Sequence, residues 1–254
     1  MRLLVINPNI SESVSQLIGG EARRAASPGT EITVLTAPFG VAYIETRFEA
    51  LIGAYAAATL AAEHAHDHDA VIVAAFGDPG VPAIREALDV PVVGLTESAL
   101  ASVGLLGQRF AIVAISQRIT AWYRETVERC GLSSRLASIR WLDQPLGDIG
   151  SVQDDHARRL KQLCITAIDA DGADVIVLAG APLAGLARNI AGEIPVPVVD
   201  GVSSAVQHAE TLVRLNPVRT RAGNFAPSPG KLNAGLPEPI RELLRRHAAK
   251  STAV

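Results

Sequence analysis

Short apolar runs alternate with helical patterns along most of the chain, and this alternation restricts the folds that it can adopt. Several runs are nearly continuous Val, Ile and Ala, which is typical of parallel strands covered on both faces. Strand–helix–strand connections are right-handed and build parallel sheets flanked by helices, so the pattern predicts an α/β protein. The predicted strands are residues 3–6, 32–36, 70–75, 90–95, 110–115, 175–179 and 196–199. The predicted helices begin near Ser11, Glu45, Pro79, Glu97, Ile119, Gln153, Leu183 and Val202.

An internal repeat sharpens this prediction. Residues 69–99 and 174–205, approximately, each run through an Asp, an apolar strand, a small-residue turn, a helix and a Pro-Val-Val strand. The repeat predicts two pseudo-symmetric lobes with parallel sheets, interleaved in a single unit of residues 1–254, with an active-site cleft between them. Residues 224–254 begin rich in Pro and Gly, and they are predicted to form a wrapping loop and a last helix.

Composition and charge exclude several classes of function. Hydrophobic residues make up 48% and charged residues 19% of the chain, which is typical of a globular protein. A net charge of −3 without a basic patch argues against nucleic-acid and anionic-lipid partners. The start MRLLVINPN turns polar too soon for a signal peptide, and no apolar run is long enough to span a membrane. A reducing cytoplasm is therefore the expected location.

Metals and nucleotide cofactors have little support in the sequence. The stretch 63–69 is rich in His, Asp and Glu, but it precedes a strand and lies away from the edge where ligands bind. Cys130 and Cys164 lie in helical patterns outside any metal-type spacing, and no phosphate-binding loop occurs. We therefore expect no metal site and no nucleotide cofactor.

Ligands of parallel sheets bind at the carboxyl ends of the strands, so the candidate site residues are those that follow each strand. The candidates for catalysis are Tyr43, Glu45 and Asp78. The candidates for substrate binding are Asn9, Ala75, Phe76, Gly77, Ser116, Gln117, Arg118, Gly180, Ala181 and Pro182.

Some of these candidates have two interpretations. Glu45 is a general base or water-positioning carboxylate, or else an acid that stabilises a helix N-terminus. Asp78 contacts substrate or caps the helix predicted to begin at Pro79. Arg118 pairs with a substrate carboxylate or lies free on the surface. The turns that contain Gly77 and Gly180 would present main-chain N–H groups to a carboxylate or an enolate oxygen.

Four motifs resemble those of hydantoin and allantoin racemases in the aspartate/glutamate racemase superfamily. They are Asn-Pro-Asn at 7–9, Ile-Glu at 44–45, Ala-Ala-Phe-Gly-Asp-Pro-Gly at 74–80 and Val-Val-Asp-Gly-Val at 198–202. The resemblance extends from residue 1 to about residue 215. It implies two pseudo-symmetric α/β lobes, a small-molecule substrate, neither metal nor organic cofactor, and a homo-oligomer.

The sequence departs from this family at two positions. The resemblance places catalytic cysteines where this chain has Ala75 and Gly180, and racemisation needs a base on one face of a carbon and an acid on the other. Cys130 and Cys164 are predicted to be structural. Our leading prediction is a hydrolytic enzyme for a hydantoin-like five-membered ring, for example one that desulfurises a thiohydantoin with water activated by Glu45. The alternatives are a racemase or isomerase with non-cysteine acid/base groups, and a relative that binds a small ligand without catalysis.

Overall fold

The structure is a computed structural model that describes residues 1–144, 146–215, 223–227 and 229–249. The strands are β1 Arg2–Asn7, β2 Glu31–Thr36, β3 Ala70–Val73, β4 Val92–Gly94, β5 Phe110–Ala114, β6 Leu136–Trp141, β7 Val175–Ala179 and β8 Val198–Asp200. The helices are α1 Glu12–Ala25, α2 Arg47–His64, α3 Val81–Ala87, α4 Leu95–Leu106, α5 Thr120–Arg129, α6 Val152–Asp169, α7 Leu186–Ile190, α8 Gly201–Leu215 and α9 Glu238–Ala249.

Within the described residues, these strands form two four-stranded parallel sheets of the same topology. The strand order is β2-β1-β3-β4 in one sheet and β6-β5-β7-β8 in the other. Val73 of β3 lies beside Ile6 of β1, and Ala179 of β7 lies beside Ala114 of β5. The sequence prediction of two parallel, helix-flanked α/β lobes is thus confirmed. We call residues 1–94 lobe 1 and residues 110–200 lobe 2.

Each lobe is joined to the other by a helix. Helix α4 follows the last strand of lobe 1 but packs on β7 and β8, and α8 follows the last strand of lobe 2 but packs on β3, β4 and α1. The two helices also pack together, and Gly201 allows this approach because a Cβ there would lie 2.7 Å from Cβ of Leu95. The buried Glu210 of α8 fixes the contact by accepting hydrogen bonds from Ser27 N at 2.9 Å and Thr30 Oγ1 at 2.6 Å in lobe 1.

The core follows the alternation of side chains along the buried strands. In β1, Leu3 and Val5 belong to a large cluster that extends through lobe 2, whereas Leu4 and Ile6 pack with α2 and α3 on the other face. Both faces of the sheet are covered, as the continuous apolar runs predict.

Several predicted boundaries were wrong. Strand β6 was not predicted, because its sequence LASIRW mixes polar and apolar residues at the edge of a sheet. Helix α2 begins at Arg47, close to the predicted start near Glu45, because Thr46 caps it in a capping box with Glu49. Glycines with a left-handed φ before α3 and α7 delay both helices to Val81 and Leu186.

The C-terminal region lies partly outside the described residues, which omit 228 and 250–254. Its described part contains α9, and this helix packs against α2 and α3.

Candidate active site

The turn after β3, residues 75–80, is held by side chains of α4 and α5. Gly77 has a φ of 101°, and a Cβ at this position would overlap the indole ring of Trp122. Its N–H donates to Thr96 Oγ1 at 2.5 Å. Phe76 packs edge-on against the ring of Tyr123, with 4.8 Å between ring centroids. The predicted site residues Phe76 and Gly77 therefore belong to a rigid turn.

Asp78 is a buried carboxylate with an unusual backbone conformation. Its φ is 54°, a value that non-glycine residues rarely adopt. Its oxygens accept the N–H groups of Thr96 at 2.8 Å and Glu97 at 2.9 Å, so it caps α4 and not the helix that follows it in sequence. Burial, and then the negative charge of Glu97, raise the pKa of Asp78 to about 7, against the effect of these hydrogen bonds.

The corresponding turn after β7, residues 180–185, is held by a neutral side chain. Gly180 has a φ of 130°, and residues Ala181–Leu183 form one turn of 3₁₀ helix. On helix α6, Gln153 Nε2 donates to the carbonyl oxygens of Pro182 and Ala184, both at 2.9 Å. Ala181 and Pro182 are buried, so this turn is also part of the packed structure.

Both turns carry main-chain N–H groups for which the described part of the chain provides no hydrogen-bond acceptor. Among the described residues, none accepts a hydrogen bond from the N–H of Ala75, Phe76, Gly180 or Ala181. All except Gly180 are buried residues. Nearly all buried N–H groups in proteins are hydrogen-bonded, because an unpaired one costs about 1–3 kcal/mol. Each turn thus offers two amide donors to oxygen atoms of a ligand.

A carboxylate and a guanidinium group come together from the two lobes. Glu45, on the loop of lobe 1 before α2, accepts a hydrogen bond from the Ser116 hydroxyl group after β5 of lobe 2. The Arg118 Nε atom lies 3.7 Å from Glu45 Oε2, and the Arg118 side chain is 70% exposed. Helix capping is performed by Glu49, whose carboxylate accepts the N–H groups of Glu45 and Thr46. The carboxylate of Glu45 is therefore not needed for the helix.

Tyr43 lies on the same loop. Burial, together with the negative charges of Glu45 and Glu49, raises the pKa of its phenol. The group stays protonated at neutral pH and is available as a hydrogen-bond donor.

Asn9 and Gln117 are less closely connected to the other candidates. The Oδ1 atom of Asn9 accepts hydrogen bonds from Asn7 Nδ2 at 3.0 Å and Ser11 N at 2.9 Å. Its own Nδ2 group finds no acceptor among the described residues, so it can donate to a ligand. Gln117 is exposed, and its main-chain oxygen accepts a hydrogen bond from the main-chain N–H of Thr120.

The cysteines do not replace the thiols that the resemblance implies. Burial raises the pKa of both, to about 12 for Cys164 within α6. Cys130 lies at the C-terminal end of α5. The described residues also contain no cluster of three or more His, Cys, Asp or Glu that could hold a metal ion. None of the described helices combines the length and apolar character needed to cross a bilayer.

Two residues that shape the site were absent from the predicted set. Thr96 follows the fourth predicted strand, so its position at a strand end was a usable signal. Gln153 is distant in sequence from residues 180–185, and only tertiary packing brings α6 against that turn.

Comparisons with known proteins identify the family and agree with the two-lobed α/β fold. The model of the family described as Asp/Glu/Hydantoin racemase matches residues 3–209. A hydantoin racemase of Paenarthrobacter aurescens is 36% identical over 229 residues, which are 89% of this chain and 96% of the relative. The structure of an allantoin racemase from Klebsiella pneumoniae has a TM-score of 0.89 at 32% identity and covers 94% of this chain and 98% of that chain. An allantoin racemase from Pseudomonas fluorescens has a TM-score of 0.82 at 34% identity, with 92% and 100% covered.

Proposed function

The chain belongs to the Asp/Glu/hydantoin racemase family, and we propose that it is a racemase or isomerase for a small hydantoin- or allantoin-like ring that works without thiols. Its relatives are named as racemases, which favours this alternative over the hydrolytic prediction. The observation that carries the proposal is the pair of turns with unpaired amide donors at the ends of β3 and β7.

The unpaired amides suit the oxygens of a planar imide ring. Removing the proton from the ring carbon next to a carbonyl moves an electron pair onto the carbonyl oxygen and gives an enolate. Preorganised N–H donors stabilise such an oxygen as its charge develops. The N–H groups of Ala75 and Phe76 in lobe 1, and of Gly180 and Ala181 in lobe 2, supply this interaction from two sides.

Glu45 is the group that we assign as the base. It takes the proton of the ring carbon, and the Ser116 hydroxyl group and Arg118 hold its carboxylate in place. The proton that returns to the opposite face of the enolate comes from solvent water, since Ala75 and Gly180 have no acidic side chain. The hydroxide that remains is neutralised by the proton that Glu45 releases to solvent, so Glu45 is again a carboxylate. Tyr43 and Asn9 donate hydrogen bonds to the substrate. Asp78 fixes the first turn through α4 and does not touch the reacting carbon.

The test is proton exchange at the ring carbon. Single enantiomers of 5-substituted hydantoins and of allantoin are incubated with the protein in heavy water, and the C5–H signal in the NMR spectrum is followed with optical rotation and mass. We expect loss of the signal together with loss of rotation. Glu45→Gln should slow the exchange by about 10²–10⁴-fold, the contribution typical of a general base. Glu193→Gln is the matched control, because Glu193 is exposed and paired with Lys161 on another surface.

Other outcomes separate the remaining hypotheses. A mass change without exchange at C5 would contradict the proposal and support hydrolysis or desulfurisation. Saturable binding with neither exchange nor a mass change would support a ligand-binding relative. Equal exchange rates in Glu45→Gln and the native protein would remove Glu45 from the role of base.

A further inference from the structure

A polar groove lies between the lobes where helix α1 packs against the turn that follows β7. Its walls come from α1 of lobe 1 and from the segments of lobe 2 around the starts of α6 and α7. Its volume is about 480 Å³, which is within the range of small-ligand sites. We call it the α1 groove, and the lining residues that matter for its chemistry are Gln16, Glu21, Arg24, Gln153, Gly185 and Arg188.

A buried carboxylate lies in the α1 groove. The side chain of Glu21 is only 3% exposed, and it accepts hydrogen bonds from Arg24 Nε at 2.9 Å and from Ser203 Oγ at 2.6 Å. Although burial raises the pKa of Glu21, these hydrogen bonds hold the pKa below its ordinary value. The group is therefore charged at neutral pH, and it keeps the guanidinium groups around it in fixed positions.

Two guanidinium groups meet at Glu21, one from each lobe. Arg24 belongs to α1 of lobe 1, and Arg188 of α7 in lobe 2 has its Nη2 atom 3.6 Å from Glu21 Oε2. Among the described residues that line the groove, Glu21 supplies the one carboxylate, so the lining carries one positive charge in excess. Asp200 also acts electrostatically on Arg24, but it does not line the groove and burial raises its pKa.

Both guanidinium groups carry donors that the protein does not use. Within the described part of the chain, no acceptor lies within hydrogen-bond distance of Arg24 Nη1 or of Nε and Nη2 of Arg188. The side-chain amide of Gln16 has no partner there either. Planar guanidinium groups bind two oxygen atoms of a carboxylate or phosphate at once. The lining of the α1 groove thus matches a ligand with several anionic oxygen atoms.

The α1 groove is also in contact with the second turn of the candidate site. Gln153, which lines the groove, donates to the carbonyl oxygens of Pro182 and Ala184. Gly185 approaches Glu21 so closely that a Cβ there would lie 2.8 Å from Glu21 Oε2. A ligand held by guanidinium groups of both lobes would therefore restrain α1 and this turn relative to each other.

We propose that the α1 groove binds a small oxyanion, through its phosphate or carboxylate group, between Arg24 and Arg188. Because the two arginines come from different lobes, the bound anion holds α1 against α7. Neither Glu45 nor residues 180 and 181 line the groove, so this site is distinct from the one to which we assign proton transfer. It does not require that the proposed racemase activity is correct.

Binding of inorganic phosphate and of succinate tests the proposal. Each anion is added to the native protein in calorimetric titrations and in thermal unfolding, with sodium chloride at equal ionic strength as the reference. We expect saturable binding of at least one of the two anions, together with a Tm that rises with its concentration. Arg188→Gln should weaken this binding about 10–100-fold, the loss expected for hydrogen bonds to a charged group. Arg129→Gln is the matched control, because it removes the same charge from an exposed position of α5 and should leave the affinity unchanged.

Binding of phosphate alone or of succinate alone supports the proposal and identifies the group that the α1 groove accepts. Three results would overturn it. Neither anion may bind beyond the effect of ionic strength. Arg188→Gln may bind as tightly as the native protein, in which case the anion lies elsewhere, for example on the amide donors of the candidate active site. Arg129→Gln may weaken binding equally, which would show that net charge alone attracts the anion.

Arg188→Gln is expected to fold, because Glu21 keeps its hydrogen bonds from Arg24 and Ser203, and circular dichroism verifies this. Should it fail to fold, Arg188→Lys keeps the charge but loses the planar guanidinium group. Weaker binding of the same anion is then expected of Arg188→Lys, and unchanged affinity would contradict the proposal.

Discussion

The two turns at the ends of β3 and β7 share a left-handed glycine before the following helix but differ in how they are stabilised. Gly80 and Gly185 occupy matching positions of the repeat, with φ values of 77° and 80°, and each comes directly before a short helix. The match shows that both lobes need a left-handed glycine to turn from strand to helix. The two lobes therefore have the same backbone conformation at Gly80 and Gly185, whereas the side chains that surround these glycines differ.

Each lobe has one buried Asp near its connecting helix, but the two Asp residues lie at different positions of the repeat. In lobe 1 it is Asp78, within the turn, and Gly94 precedes α4. In lobe 2 the matching positions hold Leu183 and Asp200, and Asp200 accepts the N–H of Ser203 in α8 at 2.9 Å. Each lobe thus caps the helix that joins it to the other lobe with one Asp. Because the carboxylate of Asp78 fills the space where a Cβ of Gly94 would lie, the two positions depend on each other.

The largest effect on the free energy of unfolding is expected from variants that disturb the contact between Asp78 and Gly94. Gly94→Ala should lower the free energy of unfolding by about 3 kcal/mol, because its methyl group displaces the carboxylate of Asp78 from α4. Asp78→Ala should cost about 2 kcal/mol through loss of the cap. The double variant should be less destabilised than the sum of the two by at least ~1 kcal/mol, since the overlap disappears with the carboxylate. Urea unfolding of the four proteins measures the difference, and strict additivity would show that the two positions are independent.

The order of elements in both lobes could be predicted from the sequence, because buried parallel strands have uninterrupted apolar sequences. Strand β6 could not, since an edge strand is covered less and tolerates Ser138 and Arg140. The positions of the candidate site turns were predicted from the rule that ligands bind at the ends of strands, and their role as a site stays a prediction. The helix that Asp78 caps could not be predicted in the same way. Helix α3 is nearest to Asp78 in sequence, but the tertiary fold brings α4 to its carboxylate instead.

The pH dependence of the free energy of unfolding distinguishes the carboxyl groups of Asp78 and Asp200. The pKa of Asp78 is raised from 3.8 to about 7, so between these values the folded protein retains a proton that the unfolded chain has released. The free energy of unfolding should therefore fall as the pH rises from about 4 to 7, by at most ~1.4 kcal/mol per pH unit for this group.

Asp78→Asn should flatten that part of the stability profile measured by urea unfolding. Burial raises the pKa of Asp200 in the same direction, and Asp200→Asn should flatten the profile less. Asp174→Asn is the control for the replacement of an exposed carboxyl group, because Asp174 lies at the surface and accepts the N–H groups of Gln108 and Arg109. An unchanged slope in Asp78→Asn would mean that its proton is not retained on folding.

The smallest effect concerns a matched pair of positions at which the lobes differ in conformation, Ala75 and Gly180. Gly180 has a φ of 130°, whereas the backbone of Ala75 is not left-handed. A Cβ at Gly180 would have ordinary contacts, the nearest being 3.6 Å from Pro182 Cδ, so only the backbone opposes a side chain there. Gly180→Ala should lower the free energy of unfolding by about 1 kcal/mol, which is the cost of the left-handed conformation less the stabilisation that comes from the reduced conformational entropy of the unfolded chain.

Gly192→Ala provides the comparison, because Gly192 is exposed, has no positive φ and has open space around its Cβ position. This variant should be unchanged or slightly more stable in the same urea titration. If Gly180→Ala is equally harmless, the second turn can adopt a conformation that accepts a side chain, and a cysteine at this position would be sterically possible. If it is destabilised as expected, lobe 2 can contribute to the site through its main chain but not through a side chain at residue 180. The asymmetry between the lobes would then lie in the backbone as well as in the sequence.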